Sequence, residues 1–485
     1  MSEPCDLSAV EARRLIGARR LSPVELTESC IARIAAVNPA VNAVVAPDFD
    51  RARSAARAAE AAVMRGGPLG LLHGLPVGIK DLEETAGLRT TFGSPLFRDH
   101  VPAADQGMVA RLRDAGAIVL GKTNTPEFGA GANTRNAVYG ATGNPFDPSR
   151  SCAGSSGGSA VALATGMVPL ASGSDTGGSL RNPAAFCGVV GFRPSPGTVP
   201  NERRGLGWSV LPVLGPMARD VADVRLMLAA MAGSDGRDPL APPAVAPFPP
   251  QHPLDPAALR VAFTPDFGFA PVERMVRTAF AAVADGLRPA FAVAADATPD
   301  CSGTDETFAV LRAINFLAAH ADKVRSHPDQ VGPNIHANVA EGLRYSAADV
   351  ARAELEQTAL YRRWQAFFTR FDLLISPAIT ITPRPWRELY PAEIDGVATG
   401  SYYHWLALAY AVTLPGHPAV CVPAGLDAAG MPFGLQIVGP RGGDAFVLAA
   451  AEAIQALLPP RPMPDLAALG AAQPISAMEG FLGFG

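Results

Sequence analysis

The chain has 485 residues, of which 48% are hydrophobic and 18% charged, and its formal net charge is −5. This composition is typical of a globular protein with a large core, and the small net charge, without runs of like charge, argues against nucleic acid or an anionic membrane as a partner. The six cysteines lack CxxC spacing, which argues against a zinc site or disulfide framework and predicts reduced thiols in a cytoplasmic protein. No signal-peptide pattern opens the chain, and no apolar run reaches membrane-spanning length.

Helices are predicted over most of the N-terminal segment 1–66. Ser8 and Ser22 are each followed three residues later by glutamate, which is the capping-box pattern of a helix start. The helix after Ser22 is expected to stop at the Asn38-Pro39 pair, because proline lacks the N–H that an interior helical residue donates. A further, alanine-rich helix is predicted over 51–65.

A buried strand is predicted over 75–79, ending in Lys80. A lysine at that place either reaches into a site or turns to solvent, and by itself the second reading is the more common. A helix over 105–115 and a strand over 117–120 follow. Residues 116–123 fit the phosphate-loop pattern GxxxxGK[ST], but the four middle residues are themselves the apolar strand, so a nucleotide site is rejected.

Two serine-glycine clusters, 151–159 and 173–181, are separated by enough apolar sequence for one helix and one short strand. Glycine lets the main chain approach a ligand closely and frees N–H groups for developing negative charge. Serines on such loops are candidate nucleophiles. The sequence therefore predicts a catalytic site where the two clusters meet.

A different serine mechanism is the alternative at the first cluster. Residues 154–158 fit the GxSxG nucleophile elbow of a Ser-His-Asp α/β-hydrolase, with Ser156 as nucleophile. That elbow needs an apolar strand immediately before it, and 144–153 reads as a loop. None of the eight histidines lies in either cluster, and His417, in a proline-rich turn, is expected to have a structural or pocket-lining role.

The second half of the chain alternates between strand and helix patterns. Residues 241–256 are rich in proline and are predicted to form a linker. Strands are predicted over 259–263, 290–294 and 371–376, and helices over 219–231, 272–287, 305–324 and 347–371. This alternation favours an α/β protein with a mostly parallel sheet covered by helices.

The sequence resembles the amidase signature hydrolases, and the resemblance covers nearly the whole chain in family order. It rests on the segments 75–81, 121–128, 151–159, 173–181, 416–425 and 432–439. It implies an α/β fold with a single large mixed twisted β-sheet sandwiched between helix layers. It also implies one domain over 1–485, with a helical subregion within 241–373 above the site.

The resemblance implies a serine–serine–lysine relay. Ser179 matches the family's nucleophile, Ser155 the bridging serine and Lys80 the base, and the Gly154–Ser155 peptide bond is expected to be cis. Lys80 must be neutral to accept a proton, whereas a free lysine titrates near pH ~10.4. Burial without a carboxylate partner would lower its pKa, because desolvation disfavours the charged form.

The second cluster is also expected to stabilise the oxyanion. The backbone of Thr176, Gly177, Gly178 and Ser179 forms the natural oxyanion hole. Asp175 and Arg181 are expected to pin this loop by hydrogen bonds and an ion pair. Ser156 is assigned a supporting role, with capping of the following helix as the alternative. Two departures from the family pattern leave the relay untouched: Ala153 replaces a glycine, and Phe192-Arg193-Pro194 stands where many relatives have a Lys-Pro pair.

The predicted reaction is hydrolysis of a small-molecule carboxylic amide through a serine acyl-enzyme, with aryl esters and carbamates as further candidate substrates. No metal or cofactor is expected, and a homodimer is a candidate assembly. The alternatives are a glutamine-dependent amidotransferase subunit of the same family and a scaffold without activity. Residues assigned to the substrate pocket are Phe128, Gly129, Tyr139, Gly154 and Trp208.

Overall fold

The computed structural model describes residues 3–243 and 254–477, and a central β-sheet dominates it. The strands are β1 (Val44–Pro47), β2 (Pro76–Lys80), β3 (Ile118–Thr123), β4 (Arg135–Asn136), β5 (Gly140–Ala141), β6 (Leu170–Asp175), β7 (Val190–Arg193), β8 (Val213–Ala218), β9 (Arg260–Phe263), β10 (Val293–Asp296), β11 (Leu373–Pro377), β12 (Glu393–Ile394), β13 (Val397–Ala398), β14 (Ala419–Leu426) and β15 (Pro432–Val438).

Helices pack around this sheet. They are α1 (Ala9–Gly17), α2 (Pro23–Val41), α3 (Phe49–Arg65), α4 (Gly107–Asp114), α5 (Gly157–Ala164), α6 (Arg181–Cys187), α7 (Val221–Met231), α8 (Arg274–Leu287), α9 (Thr304–Ser326), α10 (Pro333–Arg344), α11 (Ala347–Phe368), α12 (Ala407–Thr413), α13 (Asp444–Gln455) and α14 (Leu466–Ala471). No helix in the described part of the chain is long and apolar enough to cross a membrane.

The central sheet has 11 strands in the order β1-β3-β2-β6-β8-β7-β14-β15-β11-β9-β10. β2 runs parallel to β3 and β6, and β9 runs parallel to β10 and β11, while the other neighbours are antiparallel. The mixed sheet implied by the family resemblance is thus confirmed, and the mostly parallel sheet inferred from strand–helix alternation is wrong. Short turns such as 427–431, between β14 and β15, reverse the chain and make antiparallel neighbours.

The sheet brings the two serine-glycine clusters together. β2 and β6 are parallel neighbours, so their carboxyl ends, at Lys80 and Asp175, lie at the same edge of the sheet. The first cluster lies before and within the start of α5, which packs on both strands. The second cluster overlaps the end of β6 and leads into α6. The sheet therefore places Lys80, the first serine-glycine cluster and the second serine-glycine cluster at the same edge.

The N-terminal helices begin as predicted, but one prediction of an end is wrong. Ser22 forms a reciprocal capping box, whereas the Ser8 hydroxyl accepts only the forward hydrogen bond from the N–H three residues on. α2 does not stop at Asn38-Pro39 and continues to Val41. Pro39 lies in the last turn, where it removes one backbone hydrogen bond but keeps a helical φ, and Asn42 ends the helix in the left-handed conformation.

The region 254–373 contributes both sheet and helix. β9 and β10 extend one edge of the central sheet, while α10 and α11 both pack against α9. α10 was not predicted from the sequence, because its short apolar pattern begins and ends among polar residues. The proline-rich linker predicted over 241–256 falls largely on residues 244–253, which lie outside the described residues.

Candidate active site

Lys80 ends β2 with its side chain fully buried. Its Nζ lies 2.8 Å from the Ser155 Oγ, 2.9 Å from the Ser156 Oγ and 2.9 Å from the Ser174 Oγ. Within the described residues, no carboxylate lies within ion-pair distance of this amine. The lysine is therefore surrounded by hydroxyl groups, each of which can either accept a hydrogen bond or donate one.

Burial is the main influence on the protonation of Lys80. Desolvation lowers the pKa of its amine to about 8, against the opposing charges of Glu83 and Asp175. With that pKa, roughly a tenth of the lysine is neutral at pH 7, whereas almost none would be at the ordinary value. Burial thus gives Lys80 the neutral fraction that a proton acceptor requires.

Of the two other members of the expected relay, Ser155 lies beside this lysine and Ser179 shares a cavity with Ser155. The Gly154–Ser155 peptide bond is cis, as the resemblance implied. Ser155 and Ser179 both line a small cavity of about 100 Å³, hereafter the inner cavity. The Ser156 N–H donates to the Ser179 carbonyl at 3.2 Å and ties the two clusters together. The described contacts contain no hydrogen bond between the Ser155 and Ser179 hydroxyls, whose hydrogens are free to rotate.

Ser156 does not have the surroundings of a nucleophile elbow. Its side chain is fully buried, it lies outside the lining of the inner cavity, and the segment before it is a loop. It also makes no capping hydrogen bond to α5, so its main contact is with Lys80. His417 has structural contacts and does not line the inner cavity. It packs against Trp364 and Phe368, and its Nδ1 lies 2.9 Å from the Gly439 carbonyl.

The expected oxyanion hole needs one correction. The Gly178 N–H donates to the Asp175 carboxylate at 2.8 Å, so it is committed to the loop and not directed at a substrate. Thr176, Gly177 and Ser179 line the inner cavity, and their N–H groups have no acceptor among the described residues. These three positions therefore remain as candidate backbone donors for an oxyanion.

Asp175 holds the loop through a buried ionic cluster. Its carboxylate accepts from Arg181 at 2.9 and 3.0 Å, from Arg193 at 3.2 Å and from the Leu180 N–H at 3.2 Å. Burial alone would raise the pKa of Asp175, but the two guanidinium groups hold it well below its usual range. Asp175 and Arg181 thus lie as expected for a pinning role, and Arg193 is a second clamp that the sequence did not indicate.

Three further polar residues near Lys80 were not anticipated. Ser174 contacts the lysine directly, and Glu83 is buried with its Oε2 3.1 Å from the Ser172 Oγ. Lys122 donates to the Glu83 carbonyl, and burial lowers the pKa of Lys122 to about 8. Burial also raises the pKa of Glu83, which the nearby lysines oppose. The acidic run 81–84 resembles a solvated turn, so its sequence carried no signal of burial.

A larger outer cavity of about 580 Å³ adjoins the inner one. Leu82, Phe128, Ser174, Thr176 and Phe316 line both cavities. The outer cavity is also bordered by the exposed residues Arg203 and Leu206, so this is the side open to solvent. In the described residues, no group of three His, Cys, Asp or Glu side chains is placed to bind a metal ion.

The residues assigned to the substrate pocket divide into two groups. Phe128 and Gly129 line the inner cavity. Tyr139, Gly154 and Trp208 do not line either cavity: Tyr139 stacks under Arg89, and Trp208 is 78% exposed. Five residues that shape the inner cavity were missed or only weakly indicated by the sequence, namely Leu82, Phe308, Arg312, Phe316 and Leu406.

Comparisons with known proteins show similarity over nearly the whole chain. The Amidase family model matches residues 25–448. An acylamidase from Rhodococcus erythropolis is 36% identical over 462 residues, covering 93% of this chain and 96% of that protein. A glutamyl-tRNA(Gln) amidotransferase subunit from Chloroflexus aurantiacus is 33% identical over 484 residues, covering 94% and 98%. A solved bacterial aryl acylamidase of the amidase signature family superposes with a TM-score of 0.87 at 28% identity, covering 96% and 99%.

Proposed function

The chain belongs to the amidase signature family and acts on amide C–N bonds, and we propose that it is a free-standing hydrolase of small carboxylic amides. One observation carries the proposal: the buried Lys80 amine contacts the Ser155 hydroxyl at 2.8 Å, and Ser155 shares the inner cavity with Ser179. This contact and the shared cavity support a relay with Lys80 as neutral base, Ser155 as bridging hydroxyl and Ser179 as nucleophile. The similarity to an acylamidase supports the same reaction class.

In the proposed mechanism, the Ser179 Oγ attacks the amide carbonyl while its proton passes to the Ser155 Oγ. Ser155 in turn gives its own proton to Lys80, which becomes an ammonium held by three hydroxyl acceptors. The carbonyl oxygen becomes an oxyanion near the N–H groups of Thr176, Gly177 and Ser179. The proton then returns through Ser155 to the leaving nitrogen, the C–N bond breaks, and water repeats the steps to release the acid.

The test is turnover of primary amides, anilides, carbamates and aryl esters by the parent and by Ser179→Ala. Removal of the nucleophile should abolish turnover of every substrate that the parent accepts. Ser326→Ala, on the exposed end of α9, is the matched control and should retain parental rates. Turnover that survives Ser179→Ala but disappears in Ser156→Ala would overturn the relay in favour of the nucleophile elbow.

A second candidate is an amide-transfer protein that works only with partner proteins. The 33% identity to a glutamyl-tRNA(Gln) amidotransferase subunit over nearly the whole chain favours it specifically. That function predicts negligible turnover by the isolated chain on the amide panel, with glutamine hydrolysis appearing only when partner proteins are added. Turnover of simple amides by the purified chain alone would exclude partner dependence.

The proposed setting is the cytoplasm. All six cysteines are free and buried in the described structure, which supports a reducing compartment. A homodimer remains a proposal that light scattering of the purified chain would test.

A further inference from the structure

The inner cavity contains a buried cation, Arg312, that the proposed reaction does not use. Arg312 lies on α9, is only 3% exposed, and lines the inner cavity together with Ser155 and Ser179. A buried charge is expensive unless it is paired and hydrogen-bonded. Its contacts therefore show whether it serves packing alone or also faces a ligand.

The guanidinium of Arg312 is held rigidly from several sides. Its Nη1 lies 3.3 Å from the Glu341 Oε2, and its Nη2 donates to the Tyr402 hydroxyl. The guanidinium carbon lies 4.1 Å from the centre of the Tyr403 ring and 5.0 Å from that of Phe316, which are stacking distances. The group is therefore preorganised, and a ligand would not have to immobilise it.

The contacts of Arg312 leave hydrogen-bond donors unused. A guanidinium carries five N–H donors, while within the described residues only Glu341 and Tyr402 accept from it. Since the side chain lines the inner cavity, unused donors remain for an acceptor that enters the cavity. The burial of the cation and its unused donors both point to a ligand.

The charge balance at Arg312 selects the kind of acceptor. Glu341 compensates the guanidinium, and the Tyr403 hydroxyl, 2.9 Å from the Glu341 Oε1, supports that carboxylate. The pair is close to neutral overall, so it offers hydrogen bonds without a net attraction for an anion. A neutral oxygen acceptor fits better than a carboxylate, whose desolvation would not be offset.

The inner cavity is the natural place for the acyl group. After the C–N bond breaks, the acyl group stays on Ser179 while the amine must leave and water must enter. The exit lies through the outer cavity, which opens to solvent beside Arg203 and Leu206. The acyl group therefore occupies the small, aromatic-walled inner cavity, and the amine faces the outer one.

We propose that Arg312 is a specificity-determining residue that recognises a neutral hydrogen-bond acceptor on the acyl group of the substrate, for example an ether, ester or carbamate oxygen. This inference rests on the proposed amide hydrolysis and names its substrate class. Acyl groups that carry such an oxygen within reach of Arg312 bind better than apolar groups of the same size. A substrate lacking it leaves the donors of Arg312 without an acceptor in the inner cavity.

The test compares three p-nitroanilides whose acyl groups are similar in size: butyryl, methoxyacetyl and malonyl, the last carrying a carboxylate. The parent should prefer the methoxyacetyl over the butyryl substrate by roughly tenfold in kcat/KM, as one hydrogen bond to a charged group allows. To correct for intrinsic reactivity, the enzymatic ratio is divided by the ratio of the rates at which hydroxide hydrolyses the same two substrates. For Arg312→Met, this corrected ratio should lie within about twofold of unity. Glu341→Gln should raise the relative rate of the malonyl substrate, because Arg312 is then uncompensated.

Arg325→Met is the matched control, since Arg325 is an exposed arginine on the same helix and, among the described residues, pairs only with Asp322. It should keep the parental ratios. An equal loss of kcat/KM for all three substrates in Arg312→Met would show that Arg312 has only a structural role and would overturn the inference. Abolition of turnover by Ser179→Ala would, in that case, still support the proposed hydrolase. If Arg312→Met does not fold, calorimetry on Ser179→Ala decides: equal affinity for methoxyacetamide and butyramide overturns the inference.

Discussion

Lys80 controls the pH dependence of the proposed reaction, and the expected magnitude follows from its burial. With the pKa lowered to about 8, the neutral fraction is about 1% at pH 6, 10% at pH 7 and 90% at pH 9. We therefore expect kcat/KM to rise about tenfold between pH 6 and 7 and to change little above pH 9, since this parameter reports the free enzyme. Burial thus increases the neutral fraction at pH 7 roughly two hundredfold over a free lysine.

The assay is anilide hydrolysis from pH 5.5 to 10 at constant ionic strength, with Lys80→Arg beside the parent. A guanidinium stays protonated throughout this range, so the variant should lose at least about a hundredfold at every pH. Hydrolysis of the matching p-nitrophenyl ester should fall less, because its leaving group needs no proton. A flat profile, a limb centred near pH 10.4, or equal losses on anilide and ester would refute the role of Lys80 as neutral base.

Three further predictions concern the loops around the relay. Ser174→Ala removes one of three acceptors of the Lys80 ammonium, so the rising limb of the pH–rate profile should move about one unit to lower pH. Asp175→Asn breaks the buried pair with Arg181 and should cost about 3–5 kcal/mol in the free energy of unfolding, measured in urea. Gly178→Ala places a Cβ 2.4 Å from an amide nitrogen of Asn182 at a φ of +115°, and should lower the free energy of unfolding by more than about 2 kcal/mol in the same assay.

Matched variants separate these effects from general damage. Asp322→Asn breaks an exposed ion pair and should change stability by less than about 0.5 kcal/mol. Gly286→Ala, in α8, meets no atom within 4 Å and should be neutral or stabilising. A Ser174→Ala profile that moves to higher pH, or buried and exposed variants of equal stability, would contradict the corresponding prediction.

The sequence predicted elements best where local chemistry alone decides the conformation. The capping box at Ser22 and the strand that ends at Lys80 are of this kind. Pro39 was misread because the loss of one backbone hydrogen bond at a proline does not by itself end a helix; α2 continues to Val41, and Asn42 ends it. Strand direction was misread for a different reason: alternation of strands and helices says nothing about turns such as 427–431, which reverse the chain between neighbouring strands.

At the candidate site, too, some features could be predicted from the sequence and others could not. The resemblance located Lys80, Ser155 and Ser179, and the structure brings all three to one sheet edge. It could not show that the Gly178 N–H turns away to Asp175, since that depends on the φ of a single glycine. Nor could it place Trp208, because an aromatic residue in a polar loop has the same sequence signature whether it covers a cavity or, as here, faces solvent.

The choice of hydroxyl groups around Lys80 has a physical reason. A carboxylate partner would only accept hydrogen bonds, and would hold the lysine in its charged form. The hydroxyls of Ser155, Ser156 and Ser174 accept from the ammonium, and any one of them can rotate to donate to the neutral amine. Both protonation states are therefore satisfied without moving a heavy atom, and burial, opposed by the charges of Glu83 and Asp175, sets the balance between them. A site built in this way can pass a proton in both directions, which is what acylation followed by departure of an amine requires.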